Sequence, residues 1–322
     1  MTSPDLPPHQ KTGQFRHARR PVDGILLLDK PPRISSNQAL QMARRLFMAR
    51  KAGHTGTLDP MATGLLPVCL GEATKFSSAL LGASKTYEAV LRLGYLSTTG
   101  DAEGEISACD TPVSGMRPPA ALVEAVLQSF VGPIMQIPPM HSALKHQGKP
   151  LYHYARAGVE IERPPRPVVI HALQVTAIEE NEMRIIVRCS AGTYVRTLAE
   201  DIGRALGCGG AYLTALRRNA LGGFNVLQAC TLDALEAMQP AQRDACLYPV
   251  DALLQELPAV ILDDTAATAL LRGQNVPADA AAVDAGEGTN IRIYDLAGGF
   301  LGLGAITPRG AIAPKRLVNR SD

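Results

Sequence analysis

The stretch Gly53-His54-Thr55-Gly56-Thr57-Leu58-Asp59-Pro60-Met61-Ala62-Thr63-Gly64 constrains this chain more than any other segment. Three glycines admit positive φ or the close approach of another molecule, while Pro60 fixes its own φ and pushes Asp59 toward extended geometry. Such punctuation suits tight turns rather than a helix or a strand, so a constrained loop presenting one carboxylate is expected here. An isolated Asp-Pro is ordinarily a turn in which the Asp bonds its own backbone. A loop this long, flanked by polar residues, instead suits holding something in place.

Around the loop, short apolar runs alternate with helical spacing. Residues 25–28 and 66–70 read as buried strands, and 87–93 alternates like a strand. Ser35 and Ser36 offer an N-cap to a helix over 37–47, with Ala39, Leu40, Ala43, Leu46 and Phe47 at helical spacing. A short helix is expected over 73–81, another from Pro118-Pro119 through Phe130, and a third over 193–206, ended by Gly207. Strands at 168–177 and 183–189 are expected to pair around Glu180-Asn181. From near Leu257 a second unit begins, with strands at 260–262, 290–294 and 300–306 and a short helix at 266–271. The expected fold class is α+β: a mixed, largely antiparallel sheet with helices packed on it and the Asp59 loop at one edge, followed by a small β-rich module. The expected organisation is a basic, Pro-rich mobile arm over 1–22, a main domain over 23–250 and the small domain over 257–322.

Composition removes several function classes. Six cysteines at 69, 109, 189, 208, 230 and 246 form no CxxC pair and read as reduced thiols of a cytoplasmic protein. No histidine pair has metal-site spacing, so neither metal nor cofactor is expected. No apolar run approaches a membrane span, and the first residues lack the apolar core of a secretory signal. Net charge is only +2, yet residues 250–322 hold six Lys/Arg against nine Asp/Glu, leaving an excess of five positive charges before them. Positive charge thus sits where the motifs sit, as a polyanion-binding surface requires.

Those motifs form an ordered set. Gly24-Ile25-Leu26-Leu27-Leu28-Asp29-Lys30-Pro31 is followed by Ser35-Ser36-Asn37, the Asp59 loop, Gly71-Glu72-Ala73-Thr74-Lys75-Phe76 and Lys85-Thr86-Tyr87. Then come Gln136-Ile137-Pro138-Pro139-Met140 with Ser142-Ala143-Leu144-Lys145, Gly192-Thr193-Tyr194-Val195-Arg196-Thr197-Leu198, and Leu216-Arg217-Arg218. The series resembles the bacterial tRNA pseudouridine-55 synthases over roughly residues 22–225, and more weakly to the end. One departure is Arg33, which stands where that family usually has Gly.

The resemblance implies a pseudouridine synthase catalytic domain with an RNA-contacting insertion at about 134–160 and a PUA-like RNA-binding domain at the C-terminus. It implies isomerisation of the T-loop uridine at tRNA position 55, without metal or cofactor, by a monomer. That reaction needs a carboxylate as nucleophile or as a base toward the sugar; the residues leave both open, and Asp59 is expected as nucleophile on a flipped-out uridine. By motif match, Arg196 would pair with Asp59, Tyr87 would stack on the base, and Tyr194 would meet its edge and assist proton removal from C5. Tyr194 and Arg196 would share one side of an extended segment. His54 and Leu216 would shape the pocket; Lys30, Lys85, Arg217 and Arg218 would contact phosphates. Alternatives are an RNA-guided catalytic subunit, against which the 136–158 insertion argues, or an RNA-binding, tRNA-folding protein without required catalysis.

Overall fold

The computed structural model describes residues 19–110, 118–278 and 286–319. Most of the expected N-terminal arm lies outside these residues. Its end is already docked: Arg20 bridges to Ala49 and forks onto the Asp244 carboxylate.

A ten-stranded sheet organises the larger part. Its main path runs Cys230–Thr231, Gly24–Lys30, Thr63–Leu70, Ala211–Leu221, Lys85–Leu93, Glu182–Cys189, Arg166–Glu179 and Gly132–Gln136. Neighbours are antiparallel except Gly24–Lys30 with Cys230–Thr231 and Ala211–Leu221 with Thr63–Leu70. The strand Gly24–Lys30 is apolar without alternation because both its faces are covered. Leu26 and Leu28 enter the main core with Ala39, Ala43, Leu66 and Val68, while Ile25 and Leu27 pack on the other side with Leu65, Cys69 and Phe76. Glu182–Cys189, covered on one face, alternates buried and exposed residues.

The helix Ser36–Leu46 starts at the N-cap Ser35, whose hydroxyl accepts from the Gln38 amide while Gln38 Oε1 accepts from the Ser35 amide. Val195–Ala205 buries Val195, Leu198, Ala199 and Ile202 on the same core and ends before Gly207 at φ +75. A five-stranded sheet over Ala259–Leu262, Asn290–Asp295, Phe300–Ile306, Ala311–Leu317 and Val276–Pro277 has its own core around Leu262, Leu270, Ile291, Ile293, Leu301 and Ile312. It docks on the larger part, where the Phe300 ring meets Phe76 edge-on at 5.4 Å.

Three expectations need correction. The Asp59 loop is not at a sheet edge: it leads into Thr63–Leu70, flanked by strands on both sides. Residues 73–81 form no α-helix but two 3₁₀ turns, Gly71–Lys75 and Ser77–Leu80, because Thr74 and Ser77 hydroxyls turn back onto the Gly71 and Thr74 carbonyls. Tyr194 is extended, at φ −99 and ψ 106, but Arg196 already belongs to the helix, so the two do not share an extended segment.

Candidate active site

The Asp59 loop is held from several sides. Just before the aspartate, the Ser36 hydroxyl lies 2.8 Å from both the amide and the carbonyl of Leu58. Just after it, the Pro60 carbonyl accepts from the Arg33 amide at 2.9 Å and from Lys30 Nζ at 3.2 Å. Lys30 is wholly buried and also donates to the Pro31 and Ile34 carbonyls. Burial lowers its pKa to about 8. Lys30, expected at a phosphate, is placed against three carbonyls of the turn that carries the carboxylate. Arg33 sits in the left-handed region at φ +66, so the turn keeps the geometry a glycine would allow.

Asp59 Oδ2 lies 3.0 Å from Arg196 Nε. The same buried guanidinium donates through Nη1 to the Thr99 carbonyl and through Nη2 to the His141 carbonyl, both at 2.8 Å. Asp101, also buried, stands 3.8 Å from Nη1 and is itself fixed by the Thr99 hydroxyl at 2.6 Å and the Glu103 amide at 3.0 Å. Burial pushes the Asp59 carboxyl above the ordinary carboxylate range; Arg196 opposes that, and Asp101 adds to it. The arrangement sets a half-buried carboxylate beside a buried cation that two backbone carbonyls also hold.

Asp59, Lys85, Tyr87, Tyr194, Arg196, Leu216 and Arg218 line one cavity of about 250 Å³. Tyr87 comes from Lys85–Leu93 and faces Arg218 across the ladder. Burial raises the Tyr87 hydroxyl pKa, with Arg218 pulling the other way. The Tyr194 backbone is gripped by the buried Gln136 side chain, which accepts from its amide at 3.0 Å and donates to its carbonyl at 3.3 Å. Gln136 therefore positions Tyr194 from inside. Burial also raises the Tyr194 pKa, while Ser142 lowers it.

Not every expected residue reaches the cavity. His54 ends the strand Ala52–His54 and is absent from the lining, its Nδ1 buried without a hydrogen-bond partner among the described residues. Lys85 lines the cavity with Nζ on the Ala83 carbonyl. Arg217 forks onto Asp29 at 2.7 and 3.0 Å, and Arg218 is wholly buried, so the structure offers neither as a free phosphate contact. Sequence reasoning missed Ser36, Asp101 and the inward role of Gln136; none carries a local signal, because each acts on a partner remote in sequence.

A larger cavity of about 890 Å³ at the junction of the two sheets is lined by Phe76, Leu254, Leu303 and Lys315 and contains neither Asp59 nor Arg196. Among the described residues, no cluster of His, Cys, Asp and Glu has the geometry of a metal site, and no helix is long and apolar enough to cross a membrane.

Comparison with known proteins agrees with the motif series. The family model "TruB family pseudouridylate synthase (N terminal domain)" matches residues 44–195, and two C-terminal models of the same family match 196–255 and 258–318. The tRNA pseudouridine synthase B of Nitrosospira multiformis is 62% identical over 306 residues, covering 94% of this chain and 97% of the relative. That of Methylobacillus flagellatus is 53% identical over 96% of this chain and 99% of its own length. Among solved structures, a chain of a Cbf5-Nop10-Gar1 complex superposes with a TM-score of 0.67 at 27% identity, covering 91% of this chain and 84% of that one.

Proposed function

The chain belongs to the TruB family of pseudouridylate synthases and is an enzyme that isomerises uridine to pseudouridine in tRNA, and from that premise we propose that Asp59 is its catalytic nucleophile and the T-loop uridine its target. The observation that supports this reading best is the Asp59–Arg196 pair in a cavity also lined by Tyr87, Tyr194 and Leu216. A flipped uridine costs a few kcal/mol to unstack, and an aromatic platform returns about 1–3 kcal/mol per base. Tyr87 is that platform and Leu216 packs on the base. Asp59 bonds to the substrate as the C1′–N1 bond breaks, and the uracil leaves with the N1 electron pair. After the ring turns, C5 bonds to C1′, the carboxylate is freed, and the proton lost from C5 is balanced by the one gained at N1. Tyr194 assists that proton's departure. No atom is exchanged overall.

The protein acts as a cytoplasmic monomer in this reading, with residues 134–160 gripping the T stem-loop and the C-terminal sheet adding RNA contacts. The test is incubation with unmodified tRNA transcript, without metal or nucleotide, followed by chemical mapping of pseudouridine. Wild type should modify the T-loop uridine, and Asp59→Asn should bind RNA without turnover. Turnover by Asp59→Asn near the wild-type rate would remove Asp59 from the chemistry; modification elsewhere in the tRNA would refute the T-loop assignment.

A further inference from the structure

Arg218 lies in the strand Ala211–Leu221 and has no accessible surface. Nε donates to the Leu65 carbonyl at 2.7 Å and Nη2 to the Gly56 carbonyl at 3.0 Å. These two carbonyls lie on either side of Asp59, at the entrance and the exit of the loop. One guanidinium therefore joins both ends of the segment that carries the carboxylate.

The local backbone is shaped around this contact. Gly64 pairs with Arg218 at φ +99, and a Cβ there would stand 2.3 Å from the Arg218 carbonyl oxygen. No other residue permits the strand to come so near the loop's exit. At Gly56 the backbone itself, at φ +76, favours glycine, and a Cβ there would lie in ordinary contact with Nη1 at 3.4 Å. Tyr87 is the cross-strand partner of Arg218, and both line the same cavity.

A purely structural role explains this poorly. The oxygens that the guanidinium meets are the Leu65 and Gly56 carbonyls and the Tyr87 hydroxyl, none of them a carboxylate, so its desolvation is offset only in part. The Tyr87 hydroxyl, beside the same guanidinium, ties this contact to the cavity that the carboxylate lines. A planar fork reaches two carbonyls at once and fixes their separation, which a point charge or an apolar side chain cannot do.

We propose that Arg218 is a positioning residue: by tying both ends of the Asp59 loop to the strand facing Tyr87, it sets the carboxylate's place relative to the base stacked on that ring. This rests on the reading of Asp59 as the catalytic carboxylate. It does not require Arg218 to touch RNA.

The experiment compares wild type, Asp59→Asn, Arg218→Met and Arg218→Lys in single turnover at saturating tRNA transcript, with RNA affinity by filter binding and folding by circular dichroism. A displacement of the carboxylate near 1 Å predicts a roughly 100-fold slower saturated rate for Arg218→Met with RNA affinity unchanged. Arg218→Lys, keeping the charge and one carbonyl, should lose less. A folded Arg218→Met with a rate within about threefold of wild type overturns the inference. So does weakened RNA affinity with an intact saturated rate, which would make Arg218 a binding residue. If Arg218→Met does not fold, Arg218→Lys decides by the same two readings. Active Asp59→Asn would instead strike the underlying assignment, an outcome read from a different protein.

Discussion

Replacing Arg196 by Met removes the cation 3.0 Å from Asp59 and leaves a half-buried carboxylate near the buried Asp101. Breaking a fully buried pair by deleting one partner costs about 3–5 kcal/mol, an upper figure here because the Asp59 side chain is 33% exposed. If the lower end of that cost falls on the ionised state that the reaction uses, the rate drops by roughly two powers of ten. The carboxyl has an escape: it takes up a proton. Burial already raises the Asp59 pKa and Arg196 restrains it, so the variant's pKa must rise further. The rate depends on ionised Asp59 and falls as pH drops through that pKa, so the acid limb of the pH–rate profile moves to higher pH. Part of the lost activity should return in alkaline buffer. Arg196→Lys separates charge from shape. It keeps the positive charge, so its acid limb should stay nearer that of wild type. Its three donors radiate from one nitrogen, however, and do not span Asp59 and the Thr99 and His141 carbonyls as the planar fork does, so its rate should still be low throughout. The assay is single-turnover pseudouridine formation at saturating tRNA across pH. An Arg196→Met enzyme with an unmoved acid limb and a near-normal rate would refute the counter-ion argument.

Lys30→Met leaves the Pro31 and Ile34 carbonyls without their buried donor, while Pro60 keeps the Arg33 amide, and should cost about 2 kcal/mol or more of stability by thermal denaturation, at about 1–3 kcal/mol per unsatisfied group. Wild-type stability with weakened RNA affinity would restore Lys30 to a phosphate-contacting role. Arg33→Gly relieves a left-handed arginine worth about 1–2 kcal/mol, less the added freedom of glycine in the unfolded chain, so a small rise in melting temperature is expected; a fall would mean that the Arg33 side chain stabilises the turn. Removing residues 257–322 strips Phe300 and Leu303 from the cluster around Phe76, Leu80 and Leu253. The remaining domain should melt lower and bind RNA more weakly, with the saturated rate largely kept; unchanged affinity in a folded truncation would refute an RNA-binding role for the module.

What the sequence determined by itself is local and chemical. Glycine and proline spacing specifies the constrained loop around Asp59, Ser35 and Gln38 specify a helix start, and an unbroken apolar run specifies a strand covered on both faces. The motif series points to the family and to residues at 59, 87, 194, 196 and 216, which line one cavity. Only the tertiary structure decided what the other polar residues do. A lysine or arginine reads as a solvated cation until packing shows which oxygens surround it. Lys30 closes on a carbonyl thirty residues away, and Arg218 on carbonyls more than 150 residues away. Asp101 and Gln136 likewise gain their roles from Arg196 and Tyr194, which the fold brings against them. Desolvation belongs to the assembled site rather than to any short segment, so burial, and with it the altered acidity of Asp59 and Lys30, was legible only once the strands had closed around the loop.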